Sequence, residues 1–101
     1  MKYMVDIDGT ICSIVKDGDY TKSQPHKWKI DCMNDLYERG HEIHYWTARG
    51  MNSGRNWEEL TKKQFEEWGV KYTSLNFNKP SYDLWIDDKC MNQRDYFGVE
   101  L

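Results

Sequence analysis

Several things are scarce in this chain of 101 residues. No apolar run approaches the ~18 residues that a membrane-spanning helix requires, so no membrane partner is expected. The N-terminal Met1-Lys2-Tyr3 leads into a β-prone stretch without the layout of a signal peptide, and a cytoplasmic location is expected. Basic residues are scattered, with 14 Lys and Arg against 17 Asp and Glu and a net charge of −3. That balance gives no strong nucleic-acid footprint. Cysteine is rare: Cys12, Cys32 and Cys90 form no C-x-x-C pair and no zinc set, and they are expected as small packing residues. Cys12 lies near the carboxylates discussed below, yet no histidine is placed to activate it. His26, His41 and His44 fall at a helix start, a turn and a strand, and none is expected as a ligand. Two prolines and no Ser/Gly/Pro-rich tract leave no linker, so residues 1–101 are expected to form a single domain.

What is abundant is aromatic surface, with five Trp and seven Tyr, which lets a short chain bury much apolar area per residue. Tyr3-Met4-Val5-Asp6-Ile7-Asp8-Gly9-Thr10 reads as a buried strand that stops on two carboxylates. In open α/β sheets ligands collect beyond the carboxyl ends of strands, whereas an Asp-Gly pair alone is as often only a turn. Residues 11–21 hold two β-prone runs around Asp17-Gly18, which predicts a hairpin flap over the site. Pro25 opens a predicted helix with Trp28, Cys32, Met33, Leu36 and Tyr37 on one face, stopped by Gly40. A strand is expected over His41–Thr47. A loop at 50–55 precedes a second helix, with Asn56 and Glu59 at capping-box spacing and Trp57, Leu60, Thr61, Gln64, Phe65 and Trp68 inward. A third strand is expected over Val70–Phe77, and a fourth at Leu84-Trp85-Ile86, ending in Asp87-Asp88. Tyr96–Leu101 is read as a short edge strand. Alternating strands and helices predict an α/β fold, a Rossmann-like sandwich around a mainly parallel sheet.

The expected strand ends would gather Asp6, Asp8, Thr47, Lys79, Asp87 and Asp88. Four carboxylates cannot converge as anions without a cation. An open, oxygen-rich set suits Mg²⁺, and the lysine and hydroxyl suit an anion beside it. Phosphoryl transfer needs this combination of nucleophile, proton donor and positive charge.

Asp6-Ile7-Asp8-Gly9-Thr10 resembles the Asp-x-Asp-Gly-Thr signature of the haloacid dehalogenase (HAD) superfamily. Ile43-His44-Tyr45-Trp46-Thr47 resembles its second motif, Lys79 before Pro80 its third, and Ile86-Asp87-Asp88 its fourth, in the family's order. The resemblance implies a haloacid dehalogenase-like three-layer sandwich, and an Mg²⁺-dependent phosphatase acting on phosphomonoesters through an aspartyl-phosphate. Asp6 would be nucleophile and Asp8 general acid and base, with Thr47 and Lys79 holding the phosphoryl group. Mg²⁺ would lie on Asp6, Asp8, Asp87 and Asp88. The intervals between motifs leave no room for a cap domain. An open site implies a phosphorylated small molecule or the phosphate end of a larger one, with a second copy covering the site. Gly9, Thr10, Arg49, Asn52 and Arg55 are candidate substrate contacts, the last three for a second anionic group. The competing expectation is a non-catalytic phosphate- or metal-binding or signalling domain on the same scaffold.

Overall fold

The computed structural model describes residues 1–98. Three strands, β1 (Lys2–Asp6), β2 (Glu42–Trp46) and β3 (Ser74–Asn76), form a parallel sheet in the order β1-β2-β3. Helix α1 (Lys27–Glu38) joins the first pair, α2 (Glu58–Trp68) joins the second, and a short α3 (Gln93–Phe97) follows. Both crossovers step in the same direction along the sheet. Right-handed crossovers of that kind lay both helices on one face.

The core agrees with that placement. Val5, Ile43 and Tyr45 from the strands pack with Ile30 and Met33 of α1 and Phe65 of α2, joined by Ile7, Ile11, Cys12 and Val70. Strand alternation sends the intervening residues to the other face. There Met4 is 60% exposed, and its Sδ accepts from the indole of Trp46 at 3.1 Å. The described elements thus make a small α/β fold around a three-strand parallel sheet, compatible with the Rossmann-like expectation.

Local chemistry explains the remaining departures. Residues 11–21 do not form the expected hairpin. Asp19 accepts from the amide of Thr21 and caps a 3₁₀ turn at Tyr20–Lys22, a local alternative that competes with strand pairing. The pairing that forms closes the base of the excursion instead. Ser13 N–H donates to Gln24 O at 2.9 Å, and His26 N–H to Ile11 O at 2.8 Å. Of the predicted inward face of α1, Met33 and Leu36 pack on the core, where Ile30 joins them, while Trp28, Cys32 and Tyr37 are exposed. At α2 the N-cap is Trp57, and Asn56 accepts from Glu58 N–H at 2.9 Å. The inward face of α2 matches expectation at Trp57, Thr61, Gln64 and Phe65.

Leu84-Trp85-Ile86 is not a strand. Leu84 is 75% and Ile86 88% exposed, and the segment turns on Asp87, which accepts from Lys89 N–H at 3.1 Å. That bond holds the Asp87 carboxyl below its ordinary range, with further bonds from Asp88 and Trp85 in the same direction. Tyr96 and Phe97, expected in an edge strand, belong to α3 and Gly98 is its C-cap, while Val99–Leu101 of that expected strand lie outside the described residues. Cys32 and Cys90 are exposed, so only Cys12 is the packing residue expected.

Candidate active site

A pocket of about 220 Å³ opens beyond the carboxyl ends of β1 and β2, with Asp6, Asp8, Arg49 and Lys79 in its walls. Asp6 closes β1, and its two oxygens have different partners. Lys79 Nζ donates to Oδ1 at 2.9 Å, and Thr10 Oγ1 donates to Oδ2 at 3.2 Å. Lys79 reaches the site because its backbone N–H binds Thr47 O at 3.2 Å, at the end of β2. Burial alone lowers the Lys79 pKa, but the hydrogen bond and charge of Asp6 outweigh it and the net shift is upward. The Asp6–Lys79 contact joins residues 73 apart in the chain.

Asp8 is held differently. The Arg49 guanidinium donates from Nε to Oδ2 at 3.0 Å and from Nη2 to Oδ1 at 2.8 Å, a two-pronged grip that fixes the carboxylate plane. Arg49 is 3% exposed. Its Nη1 donates to Thr61 Oγ1 at 3.0 Å and Gln64 Oε1 at 2.7 Å, both on the inner face of α2. Tyr20 lies against the guanidinium, 4.6 Å from ring centroid to Cζ. Arg49, expected to meet substrate, is thus spent on Asp8. Thr61 and Gln64 were the overlooked residues. Two polar side chains at i and i+3 within an otherwise apolar inward stripe need a buried partner, and that was the available signal.

Thr47, expected to bind a phosphoryl oxygen, is buried, and its Oγ1 accepts from Arg49 N–H at 3.0 Å. It therefore sets the turn that carries Arg49 inward. Gly9 sits at φ +82, and its N–H donates to Cys12 O at 2.9 Å, closing the loop behind the two carboxylates. Burial and the neighbouring Asp8 push the Cys12 thiol up to about 12, so Cys12 is a packing group there. Asn52 and Arg55 line a second, adjoining groove.

The four-carboxylate expectation is corrected here. Asp87 and Asp88 do not line the pocket and are exposed. Two carboxylates converge, each with its own cation, Lys79 or Arg49. Among the described residues no three His, Cys, Asp or Glu side chains gather to hold a metal. All four carboxylate oxygens of Asp6 and Asp8 already accept bonds from the chain. Asp87 turns on a local bond from Lys89 N–H instead of closing a strand beside Asp6, so the structure does not bring the four expected carboxylates together.

No family model matches the chain, and no curated protein matches it. A solved structure described as an MCSG target from Vibrio cholerae superposes with a TM-score of 0.85 at 22% identity, covering 99% of this chain and 89% of that one. The shared property is the fold. Among the described residues no helix is long and apolar enough to cross a membrane.

Proposed function

We propose that the chain is a small capless phosphatase of haloacid dehalogenase type, hydrolysing phosphomonoesters through Asp6. The observation that carries this reading is the pairing of Asp6 with Lys79 at 2.9 Å in the same pocket as Asp8, two residues further on. An Asp6 oxygen attacks phosphorus as the bond to the ester oxygen breaks, and the leaving oxygen takes a proton from Asp8. Water then gives a proton back to Asp8 and attacks phosphorus, releasing phosphate and restoring Asp6. Lys79 offsets charge on the phosphoryl group, and Thr10 orients the carboxylate. Mg²⁺ has no step in this scheme, and the need for it is read by chelation. The same reading places the protein in the cytoplasm, has a second copy cover the open site, and includes the family's three-layer sheet.

One observation favours a second reading. Both Asp8 oxygens accept from Arg49, and a carboxyl bonded in that way has no proton to donate until one bond is released. A non-catalytic phosphate-binding domain needs no such release. Turnover of p-nitrophenyl phosphate, with Mg²⁺ and with EDTA, separates the two. The phosphatase reading expects multiple turnovers, abolished by Asp6→Asn in a protein with unchanged circular dichroism. Retained activity in that variant overturns Asp6 as nucleophile. Loss of activity with EDTA would show that a divalent cation takes part in turnover.

A further inference from the structure

A groove of about 340 Å³ adjoins the Asp6 pocket and shares Tyr20 and Ala48 with it as wall residues. Trp57, Asn52 and Arg55 form much of the remaining wall. The Arg55 guanidinium lies 4.2 Å from the centroid of the Trp57 ring, and Tyr20 meets that ring edge-on at 5.0 Å. Trp57 is only 6% exposed, so the surface under Arg55 is fixed. The loop carrying Arg55 is drawn shut. Gly54 N–H donates to Gly50 O at 2.9 Å, and Arg55 N–H to Ser53 Oγ at 3.2 Å. Gly50 sits at φ +84, where a Cβ would collide with the Arg55 carbonyl.

Charge accounting shows what the groove has left to offer. Its carboxylate, Asp17, accepts from Asp19 N–H at 3.0 Å and pairs with Lys22 at 2.6 Å. Arg49 is committed to Asp8. Among the described residues Arg55 has no carboxylate partner. A guanidinium stacked on a ring keeps its in-plane N–H groups for an anion. A groove near the lower end of the ~300–1,000 Å³ range of small-molecule sites has room for a group of a few carbons.

We propose, resting on the phosphatase reading, that this groove receives the leaving group of the ester held at Asp6 and selects small leaving groups that carry a second anionic group. Arg55 takes that carboxylate or phosphate, and Asn52 supplies a neutral hydrogen bond.

Matched pairs test this: 3-phosphoglycerate against glycerol 3-phosphate, which differ by a carboxylate, and fructose 1,6-bisphosphate against fructose 6-phosphate. Binding by calorimetry and kcat/KM are measured for the wild type, Arg55→Gln and Arg55→Lys. The wild type should prefer the member with the second anion by roughly tenfold, the worth of one charge-assisted contact. The preference should fall to near one in Arg55→Gln, mainly through KM, and persist in part in Arg55→Lys. Turnover without preference, or with a preference that Arg55→Gln leaves intact, overturns the groove's role and leaves the phosphatase reading standing. Preference in binding with no turnover supports the anion-selective groove and overturns the phosphatase reading. Absence of both overturns both.

Discussion

Replacing Arg49 with Met should be among the most damaging single changes in the molecule. The side chain is fully buried, whereas its partner Asp8 retains 21% side-chain exposure. Removing one partner of a buried ion pair costs ~3–5 kcal/mol because the other charge is left uncompensated. Water reaching Asp8 reduces that loss, whereas the stranded Thr61 and Gln64 acceptors add to it. We expect roughly 3 kcal/mol, a large share of the ~5–15 kcal/mol that stabilises a domain of this size. Urea denaturation should show a midpoint lower by ~1–3 M at unchanged slope. Thermal unfolding should show a drop of roughly 12–24 °C. Arg49→Lys keeps the charge but loses the fork, and should fall between the two. Asp8→Asn also destabilises, since it strands the guanidinium, and the double variant should cost less than the sum by ~1–3 kcal/mol. A loss below ~1 kcal/mol for Arg49→Met, or strict additivity in the cycle, would refute the reasoning.

Other outcomes follow from the same contacts. Leu84→Ser and Ile86→Ser should each change stability by less than ~0.5 kcal/mol, because both side chains face solvent; a cost above ~2 kcal/mol by urea titration would mean that the segment is a buried strand. Cys12, raised to about 12, and Tyr45 are shifted up by burial, and Lys79 is also shifted up, through Asp6. In this range the folded chain holds more protons than the unfolded one, so stability should fall as pH rises from about 9 towards 12. Cys12→Ala should flatten that decline, and an unchanged slope would remove Cys12 from its cause.

Much of the fold was legible because it rests on local signals. The strand ending at Asp6, the stop at Gly40 and the inward stripe of α2 each fall within one element's reach. The inward face of α1 was legible only in part, since Trp28 and Ile30 are both apolar and only the sheet decides which is covered. Leu84-Trp85-Ile86 failed for a related reason: three apolar residues are too few for periodicity to distinguish a strand from an exposed turn. At the site, the sequence placed Asp6 and Lys79 together correctly. It offered Arg49 as a substrate contact, because burial of a loop arginine depends on which helix face arrives over it. Thr61 and Gln64 settle that question, and they lie in another element.

The long sequence separation of the Asp6–Lys79 contact has a consequence during synthesis. β1 and β2 can pair once Trp46 has emerged, but the cation that neutralises Asp6 is encoded about 33 residues later, an interval of a few seconds at ~5–20 residues per second. Throughout that interval the nascent chain carries an Asp6 carboxylate at the end of β1 without its lysine. A parallel pair formed in that interval lacks the Lys79 contact, and ribosome-bound chains ending before Lys79 should protect their β1 amides less than chains that include it.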